Sequence, residues 1–284
     1  VKFNFLTLFR ICLMSLRFWF ICVVFEVIFP ISSFGSGNEI EVIPWSVVKT
    51  FDRPSDSFTQ GLLYLGGGFL AESTGLYGRS EIRKFDLKTG KVTAQSKLPD
   101  NIFAEGLTFV NGFFYQLSWK ENLVFKWKHD PKAGLVKVDS FSFVGEGWGL
   151  TNSNDFFYLS NGTSKIEVRD LKDFSVKSIL NVTALGAPQE SLNELEFVNG
   201  VIYANVWQSS NILRIDAVSG KVTGILDMRG LMAENKQLQK NPDSVLNGIA
   251  WNPKSKTMFV TGKLWPKIYE IKLNATKASR KLSK

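Results

Sequence analysis

Gly106-Leu-Thr-Phe-Val-Asn-Gly-Phe-Phe-Tyr-Gln-Leu117 is the stretch on which the fold turns. Two short apolar runs flank Asn111-Gly112, a dipeptide that readily takes the two positive-φ positions of a tight hairpin turn. The same pattern recurs along the chain. First strands begin at Gly61-Leu-Leu-Tyr64, Gly106, Gly149-Leu-Thr-Asn152, Leu195-Glu-Phe-Val198 and Gly248-Ile-Ala-Trp251, and second strands follow at Gly68, Phe113, Phe156, Val201 and Met258. Third strands come next, as in Ile82-Arg-Lys-Phe85, Val124-Phe-Lys-Trp127 and Ile268-Tyr-Glu-Ile271, and Asp86-Leu-Lys-Thr-Gly-Lys-Val92 and Asp216-Ala-Val-Ser-Gly-Lys-Val222 turn the chain into a fourth strand.

The first strands are spaced by 45, 43, 46 and 53 residues. Four-stranded units repeating at about 40–50 residues are the blades of a β-propeller. The fifth unit stops after three strands, and Ile43-Pro-Trp-Ser-Val-Val-Lys-Thr-Phe51 is a strand without a unit. Used as the outer strand of the last blade, it covers an edge that would otherwise be open. The expected fold is therefore all-β: a five-bladed β-propeller over residues 38–274, its last blade closed by the N-terminal strand. A short helix is expected on the loop at 231–240, where the composition favours one.

The ends of the chain differ in kind. Lys2, Arg10 and Arg17 precede the apolar run Phe18–Phe29, and Ser32, Ser33, Gly35, Ser36 and Gly37 follow. This is the pattern of a signal peptide over 1–37 or, if uncleaved, of a signal anchor, although the run is short for a membrane span of about 20 residues. Both cysteines, Cys12 and Cys22, lie there, so disulfides and thiol chemistry are excluded from 38–284. Three sequons, at Asn161, Asn181 and Asn274, agree with passage through the secretory pathway, whether to the ER or Golgi, the vacuole or the outside. A glycan on Asn161, at a second-strand end, would crowd the tunnel mouth, so that sequon is expected to be unused.

The net charge of +8 is scattered except for a basic tail over 275–284, so no nucleic-acid partner is expected. Membrane attachment would require the leader to be retained, and a closed propeller is expected to be a monomer.

In an up-and-down sheet the first strand starts and the second strand ends at the same mouth of the tunnel, and loops on such scaffolds commonly carry the site. The residues preceding the first strands are Gln60, Glu105, Trp148, Glu194 and Asn247. The second strands end at Glu72-Ser73, Ser118-Trp119-Lys120, Ser160-Asn161, Val206-Trp207-Gln208 and Lys263-Leu264-Trp265. Each could simply face water, with Trp filling gaps between blades. Together they put acids, amides, a lysine and four tryptophans at one mouth, and aromatic surface of that extent implies a ligand. His129, in the turn Lys128-His-Asp-Pro-Lys132, is the sole histidine. A Ser-His-Asp triad and a His- or Cys-ligated zinc are therefore excluded. No cofactor is required; a structural metal would be oxygen-bound Ca²⁺, on acids such as Glu72, Glu105 or Glu194.

Ser57-Phe-Thr-Gln-Gly61, Glu72-Ser-Thr-Gly-Leu-Tyr-Gly-Arg-Ser80, Phe103-Ala-Glu-Gly-Leu107, Trp119-Lys120, Gly147-Trp-Gly-Leu150, Leu192-Asn-Glu-Leu-Glu196, Asn205-Val-Trp207, Leu246-Asn-Gly-Ile-Ala250 and Gly262-Lys-Leu-Trp-Pro266 resemble the plant-type glutaminyl cyclases, or glutaminyl-peptide cyclotransferases. The resemblance runs from about Pro44 to Leu273. It implies a five-bladed propeller that converts N-terminal glutamine of peptides and proteins to pyroglutamate with release of ammonia. Carried over motif by motif, it implies Glu105, Lys263, Gln60 and Asn193 as catalytic groups, and Phe58, Phe103, Trp119, Trp148 and Trp207 as the substrate-binding wall. On this reading Glu105 shuttles the proton while Lys263, with Gln60 or Asn193, polarises the carboxamide oxygen. Two rivals share the scaffold. A Ca²⁺-dependent hydrolase of the lactonase or strictosidine-synthase-like kind would lose activity on chelation, and a non-catalytic binding propeller would hold a ligand without product.

Overall fold

The Asn-Gly pairs form the hairpins their composition dictates. Asn111 and Gly112 have φ of 53° and 82°, and Asn199 and Gly200 have 49° and 86°, the all-positive geometry whose twist matches that of the flanking strands. The fourth-strand turns are equally local. The Asp86 carboxylate accepts the Thr89 backbone N–H at 2.8 Å, and Asp216 accepts that of Ser219 at 2.7 Å, so an acid followed three residues later by a hydroxyl residue sets the same bend in two blades.

The computed structural model describes residues 39–53, 56–238 and 241–275; the expected leader and nearly all of the basic tail lie outside the described residues. Five four-stranded antiparallel blades are present. Blade 1 comprises Thr59–Gly66, Phe69–Thr74, Glu81–Asp86 and Val92–Lys97, and blade 2 comprises Ala104–Val110, Phe113–Ser118, Leu123–Asp130 and Gly134–Ser142. Blade 3 comprises Leu150–Asn152, Phe156–Ser160, Lys165–Asp170 and Val176–Asn181, and blade 4 comprises Leu192–Val198, Val201–Val206, Asn211–Asp216 and Val222–Asp227. Blade 5 comprises Leu246–Asn252, Thr257–Gly262 and Lys267–Leu273, and its outer strand is Trp45–Asp52, paired antiparallel with Lys267–Leu273. The first strands are innermost and touch one another around the ring.

The apolar side chains gather in five clusters, each between two neighbouring blades. This is why the strands read as apolar on both faces: every sheet is covered on both sides. It also explains the glycines that open the first strands. A Cβ on Gly61 would lie 2.5 Å from the Leu107 backbone nitrogen, and one on Gly106 would lie 2.4 Å from that of Leu150. The inner strands approach too closely there for any side chain.

Two features were not expected. Glu41–Val42 adds a fifth, parallel strand to blade 4 before the chain crosses to blade 5. The Arg214–Glu41 ion pair at 2.8 Å and the Trp45 indole bond to the Asp227 carbonyl at 3.1 Å hold this crossing. A small hairpin, Thr183–Ala184 with Ala187–Pro188, sits between blades 3 and 4. The helix covers Arg229–Leu238, two residues earlier than its composition suggested, and buried Asn235 fixes it to the Tyr269 hydroxyl of blade 5 at 2.8 Å.

Candidate active site

Four of the five inner strands break register at the same place, between Thr59 and Gly61, Ala104 and Leu107, Leu192 and Leu195, and Leu246 and Ile249. A bulge re-aims the side chains within it, and these bulges decide which residues face the mouth. In blades 1 and 2 they turn Gln60 and Glu105 into a cavity of about 400 Å³. In blade 4 the residue so turned is Asn193. Glu194 points away, accepting the backbone N–H groups of Leu62 at 3.2 Å and Ile249 at 2.9 Å. Asn247 is also drawn off the cavity wall, its amide donating to the Thr59 carbonyl at 2.9 Å and to Gln60 Oε1 at 3.1 Å. The expectation that all five preceding residues converge on the mouth is therefore corrected: Gln60, Glu105 and Trp148 line the cavity, whereas Glu194 and Asn247 bind backbone and a neighbouring amide.

Phe58, Gln60, Phe103, Glu105, Trp119, Trp148, Asn193, Trp207 and Lys263 all line this one cavity. Phe103 meets Phe58 edge-on at 6.2 Å and Trp119 at 5.5 Å, and Trp148 meets Trp207 edge-on at 5.7 Å. Edge-to-face contacts of this kind fix ring angles as well as bury area. Gly75 makes room for the wall, since a Cβ there would come within 2.5 Å of the Phe103 ring. The Lys263 ammonium stands 4.9 Å over the Phe58 ring, close enough for a cation–π contact. Trp207 remains 45% exposed, at the open side of the cavity.

The polar groups are wired in one direction. Asn247 donates to Gln60, which leaves the Gln60 amide to donate to Glu105 Oε1 at 2.8 Å. Glu105 is buried and, among the described residues, has no ion-pair partner within 4.0 Å. Burial drives its pKa well above the ordinary carboxylate value; Lys263 opposes that rise, and Glu146 and Glu121 add to it. Burial lowers the Lys263 pKa, against the opposing charges of Glu105 and Asp243. Each charge is thus made less stable by desolvation and more stable by the other across the cavity. The side-chain oxygen of Asn193 is buried without a protein partner, so it is available to a ligand.

Other expectations at the second-strand ends are corrected. Glu72 is enclosed beneath the mouth by Arg53 and Arg83, each at 2.7 Å, and by the Thr59 hydroxyl at 2.6 Å. Its oxygens are committed to that cluster and are not placed for a metal. Ser160 is structural, donating its hydroxyl to the Asn193 carbonyl at 2.6 Å and accepting the Gly149 N–H at 2.8 Å. Trp265 is fully buried in the cluster between blades 4 and 5, against Gly262 and Tyr269. His129 is exposed as expected, but lies within the strand Leu123–Asp130, next to its end, and borders a separate cavity of about 500 Å³ at the opposite mouth, with Lys84, Lys128 and Glu196. Among the described residues no group of three His, Cys, Asp or Glu side chains is arranged to hold a metal ion.

Leu76, Asp243 and Val245 also line the site and were not singled out from sequence. Asp243 and Val245 lie on the loop after the helix, outside the repeat. Leu76 has φ of 97°, a strained value for a leucine that marks a position held by its surroundings.

The chain and its fold are similar to known proteins. The profile of the glutamine cyclotransferase family matches residues 23–273. A glutaminyl-peptide cyclotransferase from Arabidopsis thaliana is 38% identical over 262 residues, covering 90% of this chain and 81% of that protein. The crystal structure of Myxococcus xanthus glutaminyl cyclase superposes with a TM-score of 0.78 at 35% identity, covering 84% of this chain and all of that one.

Proposed function

The chain belongs to the glutamine cyclotransferase family, and we propose that it closes N-terminal glutamine by a proton shuttle through Glu105, inside the aromatic cavity. The reaction is the conversion of an N-terminal glutamine of a peptide or protein to pyroglutamate, with release of ammonia. What supports the assignment of roles is a single arrangement: a buried carboxylate without an ion pair, steered by Gln60 and facing Lys263 across a cavity walled by five aromatic rings.

The α-amine and the γ-carboxamide belong to one residue, so the main task is to fold that residue into an attacking shape. Positioning of this kind is worth up to about 7–11 kcal/mol in well-oriented reactions. Phe58, Phe103, Trp119, Trp148 and Trp207 enclose the folded side chain and exclude water. Glu105 takes one proton from the ammonium, and the freed amine attacks the δ-carbon, forming the ring C–N bond. Lys263 and Asn193 bind the carboxamide, with the Lys263 ammonium on the developing negative oxygen. Glu105 then gives its proton to the carboxamide nitrogen and takes the second amine proton, the old C–N bond breaks, and ammonia leaves. The proton left on Glu105 passes to ammonia or solvent. Gln60 serves here to aim Glu105 rather than to hold the oxygen, because its amide is committed to the carboxylate.

No step requires a metal. The test is ammonia release and pyroglutamate formation from a Gln-initiated dipeptide by chelator-treated protein. Full turnover is expected; turnover that returns only when Ca²⁺ is restored would overturn the metal-free scheme.

A further inference from the structure

Trp119 belongs to blade 2 and Trp148 to the entry of blade 3, yet their indole N–H groups converge on one atom. Glu146 Oε2 accepts Trp119 Nε1 at 2.8 Å and Trp148 Nε1 at 3.0 Å. Its other oxygen lies 3.7 Å from the Lys120 ammonium, which itself stands 3.8 Å over the Trp119 ring. Trp119 is thus gripped at its edge by the carboxylate and across its face by the lysine that the carboxylate holds. Glu146 does not line the cavity. It lies on the segment joining the outer strand of blade 2 to the inner strand of blade 3, and that segment is itself tied down: the Phe143 N–H donates to the Asn122 carbonyl at 3.0 Å and the Gly147 N–H to the Trp119 carbonyl at 2.9 Å. Behind Trp148, Gly162 leaves space that a Cβ would fill, 2.7 Å from the ring.

We propose that Glu146 is a positioning residue for the cyclisation: by accepting both indole N–H groups on one oxygen, it fixes the angle between two walls contributed by different blades. Neither indole N–H has another hydrogen-bond partner among the described residues. Edge-to-face packing favours an approach angle between rings, and a hydrogen bond at Nε1 adds a directional restraint on where the indole edge points. A substrate whose reaction depends on being folded responds to a small rotation of its walls, as a misplacement of about 1 Å is costly in such reactions. The inference rests on cyclisation occurring in this cavity, which wild-type turnover tests separately.

Glu146 also carries charge near Glu105, as Glu121 does with the same sign and Lys263 with the opposite sign. Two variants separate charge from geometry. Glu146→Gln keeps an oxygen for the two indoles and removes the charge; Glu146→Ala removes both. With a Gln-initiated peptide, Glu146→Ala is expected to lower kcat about tenfold while KM changes less than about threefold, with only a small fall in melting temperature because the side chain is partly exposed. Glu146→Gln at its own pH optimum is expected to recover most of that loss. In spectra of ¹⁵N-tryptophan-labelled protein, the Trp119 and Trp148 indole N–H signals should move together in the Ala variant and stay near their wild-type positions in the Gln variant. Wild-type kcat in Glu146→Ala, or a Gln variant as impaired as the Ala variant, would overturn the proposal. So would indole signals that do not move.

Discussion

Glu72 and Glu105 stand at the same end of the propeller, one near the end of the second strand of blade 1 and the other at the start of the first strand of blade 2, and both are shut away from water. Burial pushes both proton affinities up. At Glu72 that push is outweighed by Arg83 and Arg53, with hydrogen bonds from Thr59 and Arg83, and its pKa falls below the ordinary value. At Glu105 the nearest cation, Lys263, is itself weakened by burial and stands across the cavity, and the pKa rises well above it. The difference shows what converts a buried acid into a proton carrier: burial is common to both, and the placement of the positive partner decides the sign. Glu72 serves the scaffold, and Glu105 is the acid the proposed proton shuttle uses.

The contrast is broken most directly by removing each acid. Glu105→Gln is expected to lower kcat about 10³-fold, the range of a lost general acid–base group, with a much smaller change in KM. Equal activity would end its assignment. Glu72→Ala should do the reverse. Leaving Arg53 and Arg83 buried without their counter-ion is expected to cost about 3–5 kcal/mol of stability, read as a large fall in the denaturant midpoint, while the folded fraction keeps wild-type kcat. Lost activity at unchanged stability would move Glu72 into the reaction machinery. Lys263→Met, which removes a donor to the developing oxyanion, is expected to lower kcat about 10²-fold, and a change confined to KM would make the lysine a binding group only.

The smallest effect belongs to the opposite mouth. Burial raises the Glu196 pKa to about 8, although the Trp251 N–H bound to it pulls the other way. Between the ordinary value and about 8 the folded state holds a proton that the unfolded state has lost, so stability falls as pH rises across that window. Glu196→Gln should flatten the fall, read as melting temperatures from pH 5 to pH 9. A slope identical to wild type would show that Glu196 is ionised in the folded protein.

Much of this was legible in the chain. The blade count followed from Asn111-Gly112, Asn199-Gly200 and the recurring first-strand glycines, because turn chemistry and close approach leave few residue choices. The closure by the strand before Phe51 followed from an unpaired edge. The bulges left no compositional mark: a shifted register changes which face a residue takes but not its type, so Glu194 and Asn247 read like Gln60 and Glu105 although they bind scaffold groups. Trp265 could not be told from Trp119, since both follow second strands and differ only in what packs on them. Asp243 and Val245 lie outside the repeat that organised the rest. Phe58 and Phe103 were named through the family resemblance, since nothing in the repeat distinguishes them from core phenylalanines.

The proton shuttle is tested most directly by titrating the carboxyl groups themselves, in protein carrying ¹³C-labelled glutamate side chains, with Glu105→Gln and Glu72→Gln used to assign the two signals. Glu105 is expected to titrate well above the ordinary carboxylate range and Glu72 below it. A Glu105 that loses its proton at or below the ordinary value would contradict the proton shuttle at its source.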